Sequence, residues 1–323
     1  MKKATLLLAA CVALCTSTTA HAQAVDRGNR TVIEVATSLT NGQYVWAPEL
    51  SADGPALLVV NLATQRAILF RNGVPIAATT VSTGKAGNET PTGVFTILQK
   101  RAEHYSSTYN NAPMPNMQRL TWGGIALHAG RLPGYPASHG CVRLPMAFSK
   151  LLFGATDLGM TVIITSIPDL PHDSAEPEIA VSAAPTGQHS LETASFEWHP
   201  QSAPPGIVSV IVSVADQRAI VLREGIEIGS APVRVDGPVG GGLAYVYREW
   251  DGTARQWLRL NFSGTAQGMQ VPASEGQRFD APTQFRSLVS DVLQPGSVVI
   301  VTPESLGAGS TGSEQTVIEN DES

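Results

Sequence analysis

The feature that most constrains the fold of this chain is an internal repeat. LATQRAILFRNGVPI, which begins at Leu62, is matched by VADQRAIVLREGIEI, which begins at Val214, at an offset of 152 (214 minus 62). FSKLLFGATDLGMTVIIT, from Phe148, aligns without gaps to FRSLVSDVLQPGSVVIVT, from Phe285, at an offset of 137 (285 minus 148). Similarity in the same order across two blocks indicates duplication, so we expect one fold to occur twice.

The two blocks, 54–170 and 205–306, are rich in short strand-like runs. In the first block these runs are β-branched or aliphatic and end at turn residues such as Asn72 and Gly73. The runs are PALLVVNL, RAILF, VPIAATTVS, GVFTIL, GIALHA and MTVIIT. Only 146–155 has helical periodicity, with Pro145 suited to its first turn. We therefore predict a mainly β protein with one short helix in each copy.

The other segments are predicted to flank or join the two copies. Residues 25–53 are interpreted as an N-terminal extension, and 171–204, rich in Pro, Ser and Ala, as a linker. Residues 307–323 form an acidic tail that we expect to be disordered.

Residues 1–24 have the layout of a secretory signal peptide. Lys2 and Lys3 precede the apolar run LLLAACVAL, and small residues allow cleavage after Ala22 or Ala24. We therefore predict an exported, periplasmic protein. The run LAAC, 8–11, also resembles a lipoprotein cleavage site, which leaves lipidation at Cys11 as an alternative.

Charge and hydropathy exclude two classes of partner. The formal net charge is −6, and it becomes −8 without Lys2 and Lys3, so no basic surface indicates binding to nucleic acid. After the leader no apolar run approaches the roughly 20 residues of a membrane helix, so we expect no membrane span. Nothing in the sequence indicates an oligomeric state.

Cys141 is the one cysteine that remains when the predicted leader, with Cys11 and Cys15, is removed. An unpaired thiol in an oxidising compartment indicates either a reactive group or an intermolecular bridge. Cys141 ends the run Ser138-His139-Gly140-Cys141 and lies 13 positions (141 minus 128) after His128. Two histidines and a glycine around one thiol favour reactivity.

These residue types predict acyl transfer through a thioester. A free cysteine is only a few per cent thiolate at pH 7, so an imidazole must accept its proton. His128 and His139 are both candidates, and we favour His128 because a neighbouring strand aims a ring nitrogen at sulfur more easily. Gly140 gives the preceding turn freedom, and N–H groups near Gly140 and Cys141 would bind the oxyanion, at about 3 kcal/mol per donor. Arg143 would suit an anionic substrate group.

The same side chains allow a second interpretation. His128, His139 and Cys141 would make a three-ligand zinc site with water as the fourth ligand. We do not favour it, because no carboxylate is clearly placed as a general base. We therefore expect no metal and no other cofactor.

The second copy lacks the reactive pair. PASHGC at 136–141 recurs as PASEGQ at 272–277, so Glu275 replaces His139 and Gln277 replaces Cys141. The same alignment places Asn261 near the position of His128. We therefore predict that the second copy has kept its strands and lost its catalytic function. The segment 106–120 is shortened by about 16 positions (152 minus 136) in that copy, which suggests that it contacts substrate in the first.

The histidine, the Ser-His-Gly-Cys run and Arg143, preceded by STGKAGNETPTGVFTI, strongly resemble the catalytic domain of L,D-transpeptidases, the YkuD family, over about 55–167. The resemblance implies a β-sandwich-like fold with Cys141 as nucleophile and His128 as base. It also implies that the backbone carbonyl of Ala129 orients the imidazole and that His139 and Ser138 shape the surroundings of the thiol. Ser138 and Arg143 would then belong to the substrate site.

The family substrate implied by this resemblance is a peptidoglycan stem tetrapeptide. The bond attacked joins the third-position diamino acid to the terminal D-Ala, which leaves, and an amine on a neighbouring stem resolves the thioester. The alternatives are resolution by water or by a protein amine, or a peptidoglycan-binding protein whose first copy is inactive. The sequence does not indicate which acceptor is used or what the second copy does.

Overall fold

The computed structural model describes residues 23–306, apart from 52, 107–110, 169–170, 182–190, 224–225, 236–238, 240 and 263–278. Most of the predicted leader, including Cys11, and the acidic tail lie outside the described residues. So do Glu275 and Gln277 of the second copy. Below, the N-terminal half is 23–168 and the C-terminal half is 171–306.

The N-terminal half contains two helices, α1 (Val32–Ser38) and α2 (Met146–Ala155), and a 3₁₀ turn, Pro48–Leu50. Its strands are β1 (Gln23–Ala24), β2 (Gln43–Trp46), β3 (Ala56–Asn61), β4 (Arg66–Arg71), β5 (Val74–Thr80), β6 (Gly93–Thr96), β7 (Gln99–Arg101), β8 (Met117–Arg119), β9 (Ala126–Ala129), β10 (Val142–Leu144) and β11 (Thr161–Thr165).

In its described residues the C-terminal half contains one helix, α3 (Thr283–Val292), and two 3₁₀ turns, Glu178–Ala180 and Pro200–Ser202. Its strands are β12 (His172–Ser174), β13 (Glu197–Trp198), β14 (Val208–Ser213), β15 (Arg218–Arg223), β16 (Ile226–Pro232), β17 (Arg234–Val235), β18 (Leu243–Trp250), β19 (Arg255–Asn261), β20 (Phe279–Asp280) and β21 (Val298–Thr302).

Each half is built on one large sheet. The N-terminal sheet has the order β1-β2-β5-β4-β3-β11-β6, and the C-terminal sheet has the order β12-β19-β18-β21-β14-β15-β16-β13. A four-stranded sheet, β10-β9-β8-β7, and α2 lie over one face of the N-terminal sheet and enclose a core with it. The corresponding C-terminal core is closed by α3 and by the turn Glu178–Ala180.

The two large sheets repeat one strand order. The run β2-β5-β4-β3-β11 corresponds to β13-β16-β15-β14-β21, and β3 pairs in parallel with β11 as β14 does with β21. Aromatic contacts repeat as well. The ring of Phe148 lies 5.7 Å from that of Trp46, and the ring of Phe285 lies 5.9 Å from that of Trp198, both edge-on. A duplication would produce this likeness, at the offsets of 152 and 137 found in the sequence.

The central strands are buried on both faces, which explains their continuous apolar sequences. In β3, Leu58 and Val60 face the core under the four-stranded sheet. Leu57 and Val59 face the other way, into a core that also contains residues of β18, β19 and β21. The two large sheets therefore pack face to face. We call this second core the shared core; its C-terminal members are Ala244, Val246, Leu258, Leu260, Phe262, Val298 and Ile300.

The prediction of a mainly β protein is confirmed, and each predicted strand of the first block is present. The predicted helix is α2, which begins after Pro145 as its N-cap, and α3 is its counterpart at the offset of 137. None of the helices among the described residues is long and apolar enough to cross a membrane.

Two segments contain more structure than the sequence predicted. The extension 25–53 holds α1 and β2, because Val32 and Val35 are buried in the shared core and β2 pairs with β5. Thr31 and Glu34 cap α1 reciprocally, which is a signal that the sequence carried. The described part of 171–204 holds β12 and β13 as edge strands, and Ile179 is buried in the C-terminal core.

The shared core predicts that the halves unfold together. We expect Leu258→Ala, which removes a buried side chain of the shared core, to lower the free energy of unfolding by about 2–5 kcal/mol. Urea unfolding followed by intrinsic fluorescence and by reaction of the Cys141 thiol should give one coincident transition. Leu158→Ala is the control, because Leu158 is 62% exposed and should change stability by less than about 0.5 kcal/mol. A Cys141 transition that stays at its wild-type position in Leu258→Ala would contradict coupling of the halves.

Candidate active site

Cys141 immediately precedes β10, which pairs in parallel with β9. Val142 lies opposite Leu127, and Arg143 lies opposite His128. On its other side Arg143 exchanges two backbone hydrogen bonds with Ser82, of 2.9 and 3.0 Å. The segment after Cys141 is therefore held between β9 and the chain that follows β5.

The thiol and the imidazole lie on the same face of β9. Leu127 points into the core under the four-stranded sheet, whereas Ala126 packs with Met114, Met117 and Cys141. Because side chains alternate along a strand, His128 points to the face of Ala126 and hence of Cys141. The two residues that the sequence predicted as nucleophile and base therefore lie toward the same face of the four-stranded sheet.

The tautomer of His128 follows from its neighbour. Nδ1 lies 2.8 Å from the carbonyl oxygen of Ala129, which can only accept, so Nδ1 carries the hydrogen. Nε2 is then left with a lone pair, as a general base requires. Burial, opposed by the bond to Ala129 and helped by the charges of Arg143 and His104, lowers the pKa of His128 to about 4. The imidazole is therefore neutral at pH 7.

The thiol of Cys141 is also neutral at that pH. Burial raises its pKa, against the Ala126 N–H and the positive charges of Arg143 and Arg119, which stabilise the thiolate. Its Sγ donates to the carbonyl of Gly124 at 3.4 Å. The resting pair is thus a thiol and an imidazole, and we expect the proton to move only as sulfur attacks.

Ser138 shapes the turn before the nucleophile. Its hydroxyl donates to the carbonyl of Cys141 and accepts from the N–H of Gly140 at 3.2 Å. Gly140 has φ of 107°, a conformation that favours glycine. Because the Gly140 N–H is engaged, it is not free for the oxyanion role expected from the sequence, and the Cys141 N–H is the donor that remains to be proposed.

His139 and Arg143 differ in their placement. His139 is exposed at the surface, and its pKa is lowered by partial burial and by the charges of Lys85 and Arg143. The stem of Arg143 lies against Gly130, where an added Cβ would come within 3.0 Å of Cγ. Arg143 therefore places one positive charge beside both the thiol and His128.

The zinc interpretation has no support in the geometry. Within the described part of the chain, no group of three or more His, Cys, Asp or Glu side chains is placed to hold a metal ion. His128, His139 and Cys141 do not form such a group.

The sequence suggested a role for the segment 106–120 as a whole, but not for its individual residues. Arg119, in β8, acts on the thiol by its charge, and its guanidinium lies 5.9 Å from the ring of Trp122, which is 73% exposed. No motif marks Arg119, because only the register of β8 on β9 brings it near. Within the described residues of 106–120, Met114 and Met117 pack with Cys141, so that segment lines the nucleophile.

The alignment of His128 with Asn261 is wrong. Asn261 ends β19, which pairs with β18 in the large C-terminal sheet, whereas β9 belongs to a separate sheet. The bridge between Ser82 and Arg143 has a clearer counterpart in the C-terminal half. Arg234 and Asp280 pair in β17 and β20 at offsets of 152 and 137 from Ser82 and Arg143, and their side chains lie 3.6 Å apart.

Residues 55–164 match the family model of YkuD, the L,D-transpeptidase catalytic domain. An L,D-transpeptidase structure from Stackebrandtia nassauensis is 30% identical and covers 36% of this chain and 58% of its own, with a TM-score of 0.33. One from Xylanimonas cellulosilytica is 26% identical and covers 35% and 61%, with a TM-score of 0.32. An L,D-transpeptidase in complex with imipenem is 21% identical and covers 34% and 58%, with a TM-score of 0.33.

The chain thus spans about three fifths of the length of these structures. No curated protein sequence matched the chain.

The raised pKa of Cys141 predicts slow alkylation at neutral pH. In a chain beginning at Gln23, the rate of reaction with iodoacetamide should rise with pH, with a midpoint above the roughly 8.5 of an unperturbed thiol. Mass spectrometry of samples quenched at set times, at a series of pH values, measures this alkylation rate. A short unfolded cysteine peptide serves as the reference. A midpoint below about 7 would indicate a preformed thiolate–imidazolium pair instead.

Proposed function

We propose that the L,D-transpeptidase catalytic domain at residues 55–164 acts in this protein as a cysteine acyltransferase on bacterial peptidoglycan. The observation that carries the proposal is the placement of Cys141 and His128 on one face of β9, with Nδ1 of His128 held by the carbonyl of Ala129. That bond leaves Nε2 as the proton acceptor for the thiol.

In the first step Cys141 attacks the carbonyl of the L-to-D bond in a stem tetrapeptide. His128 Nε2 takes the thiol proton as the S–C bond forms. The C–N bond to D-Ala then breaks, and the protonated His128 returns the proton to the departing amine. The product is a thioester on Cys141 and free D-Ala, so atoms and charge balance.

A backbone N–H group and the charges of two arginines stabilise this step. The carbonyl oxygen becomes an oxyanion, for which the Cys141 N–H is the backbone donor that we propose. Arg143 and Arg119, whose charges both reach the thiol, supply charge for the carboxylates of the stem. Ser138 keeps the turn in place through its bonds to Gly140 and Cys141.

In the second step an amine of a neighbouring stem attacks the thioester. Neutral His128 takes a proton from that amine, a new amide forms, and the thiol of Cys141 is released and reprotonated. Water or a protein amine in place of the stem amine would give hydrolysis or attachment of a protein to the wall. An exported, periplasmic location is the compartment in which this substrate is found, and we propose it for this chain on its N-terminal sequence.

The function predicts covalent capture of imipenem at one residue. Incubation of the chain beginning at Gln23 should give one adduct per molecule by intact-mass measurement, because the thiol opens the β-lactam ring by the same acyl transfer. Cys141→Ala should give none. In parallel, incubation with purified sacculi followed by digestion and identification of the muropeptides distinguishes new cross-links from hydrolysis. An adduct retained in Cys141→Ala would overturn the assignment of the nucleophile, and no adduct in the wild type would favour a non-catalytic binding protein.

The pKa of His128 predicts an unusually low acid limit. A base must be neutral, and the imidazole is neutral above its pKa of about 4, so kcat/KM for D-Ala release should stay level from about pH 7 to 5.5 and fall towards pH 4. His139→Ala should leave this midpoint unchanged. Because unfolded histidine binds a proton at higher pH than folded His128, stability also falls over this range, and circular dichroism must verify folding at each pH. A midpoint that moves in His139→Ala would instead identify His139 as the base.

A further inference from the structure

Thr90 is a buried threonine of the run STGKAGNETPTGVFTI to which the sequence assigned no role, and it contacts the peptide group that precedes Cys141. Its side chain is 3% exposed. The hydroxyl oxygen lies 2.7 Å from the carbonyl oxygen of Gly140 and 2.8 Å from the backbone nitrogen of Gly84. Thr90 therefore joins the turn at 84–90 to the turn that carries Cys141.

The direction of both bonds is fixed by chemistry. The Gly84 N–H can only donate, so the hydroxyl accepts from it, and the Gly140 carbonyl can only accept, so the hydroxyl donates to it. Threonine has a single hydroxyl hydrogen, and this hydrogen is committed to Gly140. The carbonyl of Gly140 is consequently held against a buried turn.

This bond also sets the direction of the Cys141 N–H. The Gly140 carbonyl and the Cys141 N–H belong to one planar trans peptide group, in which the two bonds point in opposite directions. A hydroxyl that holds the oxygen toward the buried turn therefore holds the N–H away from it. Gly140, at φ of 107°, lacks the side chain that would otherwise restrict rotation of this group.

We propose that Thr90 is a positioning residue for the oxyanion donor: by binding the Gly140 carbonyl it aims the Cys141 N–H at the oxygen of the acyl group. The inference rests on the proposed function. It assigns Thr90 no contact with substrate and no part in the proton transfer by His128.

Thr90 is itself fixed by its neighbours. Pro91 restricts the backbone of Thr90 to extended conformations. Gly84 approaches the turn so closely that an added Cβ would lie 2.1 Å from the carbonyl oxygen of Asn88 and 2.5 Å from the nitrogen of Thr90. The hydroxyl is therefore presented by a rigid turn, as preorganised donors require.

Two reactions of the same thiol test the proposal. Acylation by imipenem generates an oxyanion, whereas alkylation by iodoacetamide is a displacement at carbon that does not. In Thr90→Val, which keeps the shape and removes the hydroxyl, we expect acylation to slow by about tenfold or more and alkylation to change by less than about twofold. Thr90→Ser should restore acylation to within about threefold of the wild type.

Thr79→Val is the matched control. Thr79 is also buried, and its one hydroxyl hydrogen is shared between the carbonyls of Thr80 in β5, at 3.1 Å, and Gln43 in β2, at 3.4 Å, rather than bound to the Cys141 turn. It should leave both rates of Cys141 unchanged. Equal slowing of acylation and alkylation in Thr90→Val would show that Thr90 only keeps the turn folded, and would overturn the proposal.

The proposed function and this inference fail in different ways. If imipenem acylates Thr90→Val as fast as it acylates the wild type, the role of Thr90 is overturned. The proposed cysteine acyltransferase function is then unaffected. Absence of acylation in the wild-type chain would overturn the proposed function, and with it the oxyanion role of Thr90.

Discussion

The structure depends on the burial of the N-terminal sheet on both of its faces. One face packs under the four-stranded sheet that carries His128 and leads into Cys141, and the other packs in the shared core against the C-terminal sheet. Because Leu, Val and Ile line both faces of this sheet, exposing either face to water would cost free energy. The C-terminal half therefore has a physical role whatever its chemistry, because it covers an apolar surface of roughly a sheet's width. The C-terminal sheet in turn supports the N-terminal sheet, and the four-stranded sheet that carries the site packs on the opposite face of that N-terminal sheet.

The properties of the site come from burial and from hydrogen bonds that fix its groups, rather than from strong charges. His128 and Cys141 are both kept neutral by burial, and single hydrogen bonds to backbone carbonyls fix the histidine tautomer and the turn. The positive charges of Arg143 and Arg119 lower the pKa of the Cys141 thiol, but burial raises it by more. The thiol therefore stays protonated at rest. A neutral resting thiol is protected from oxidation, because the thiolate is the form that oxidants attack.

The sequence predicted the strands of the first block, the paired helices α2 and α3, and the neighbouring strands on which Cys141 and His128 lie. These depend on local periodicity and on short motifs. It missed β2 and β13, which are too short for a periodicity signal and are placed by the contacts of Trp46 and Trp198 with the helices. It also missed Arg119 and Thr90, because their approach to the site depends on strand register and on a turn that closes between segments 50 positions apart. The engaged N–H of Gly140 was missed for a different reason, because the local bond from Ser138 depends on the rotamer of that side chain.

The position of β21 bears on how the chain reaches this structure. Val298 and Ile300 belong to the shared core, yet they lie 241 and 243 positions (298 and 300 minus 57) after Leu57, which they help to cover. A chain that is synthesised or secreted from its N-terminus therefore displays the back of its first sheet long before the cover arrives. During that interval the sheet is open to pairing with other chains, and folding is slow because the contact is so distant in sequence. A nascent chain of this kind is a natural client for a holding chaperone, and its yield should be limited by assembly of the two halves rather than by formation of either.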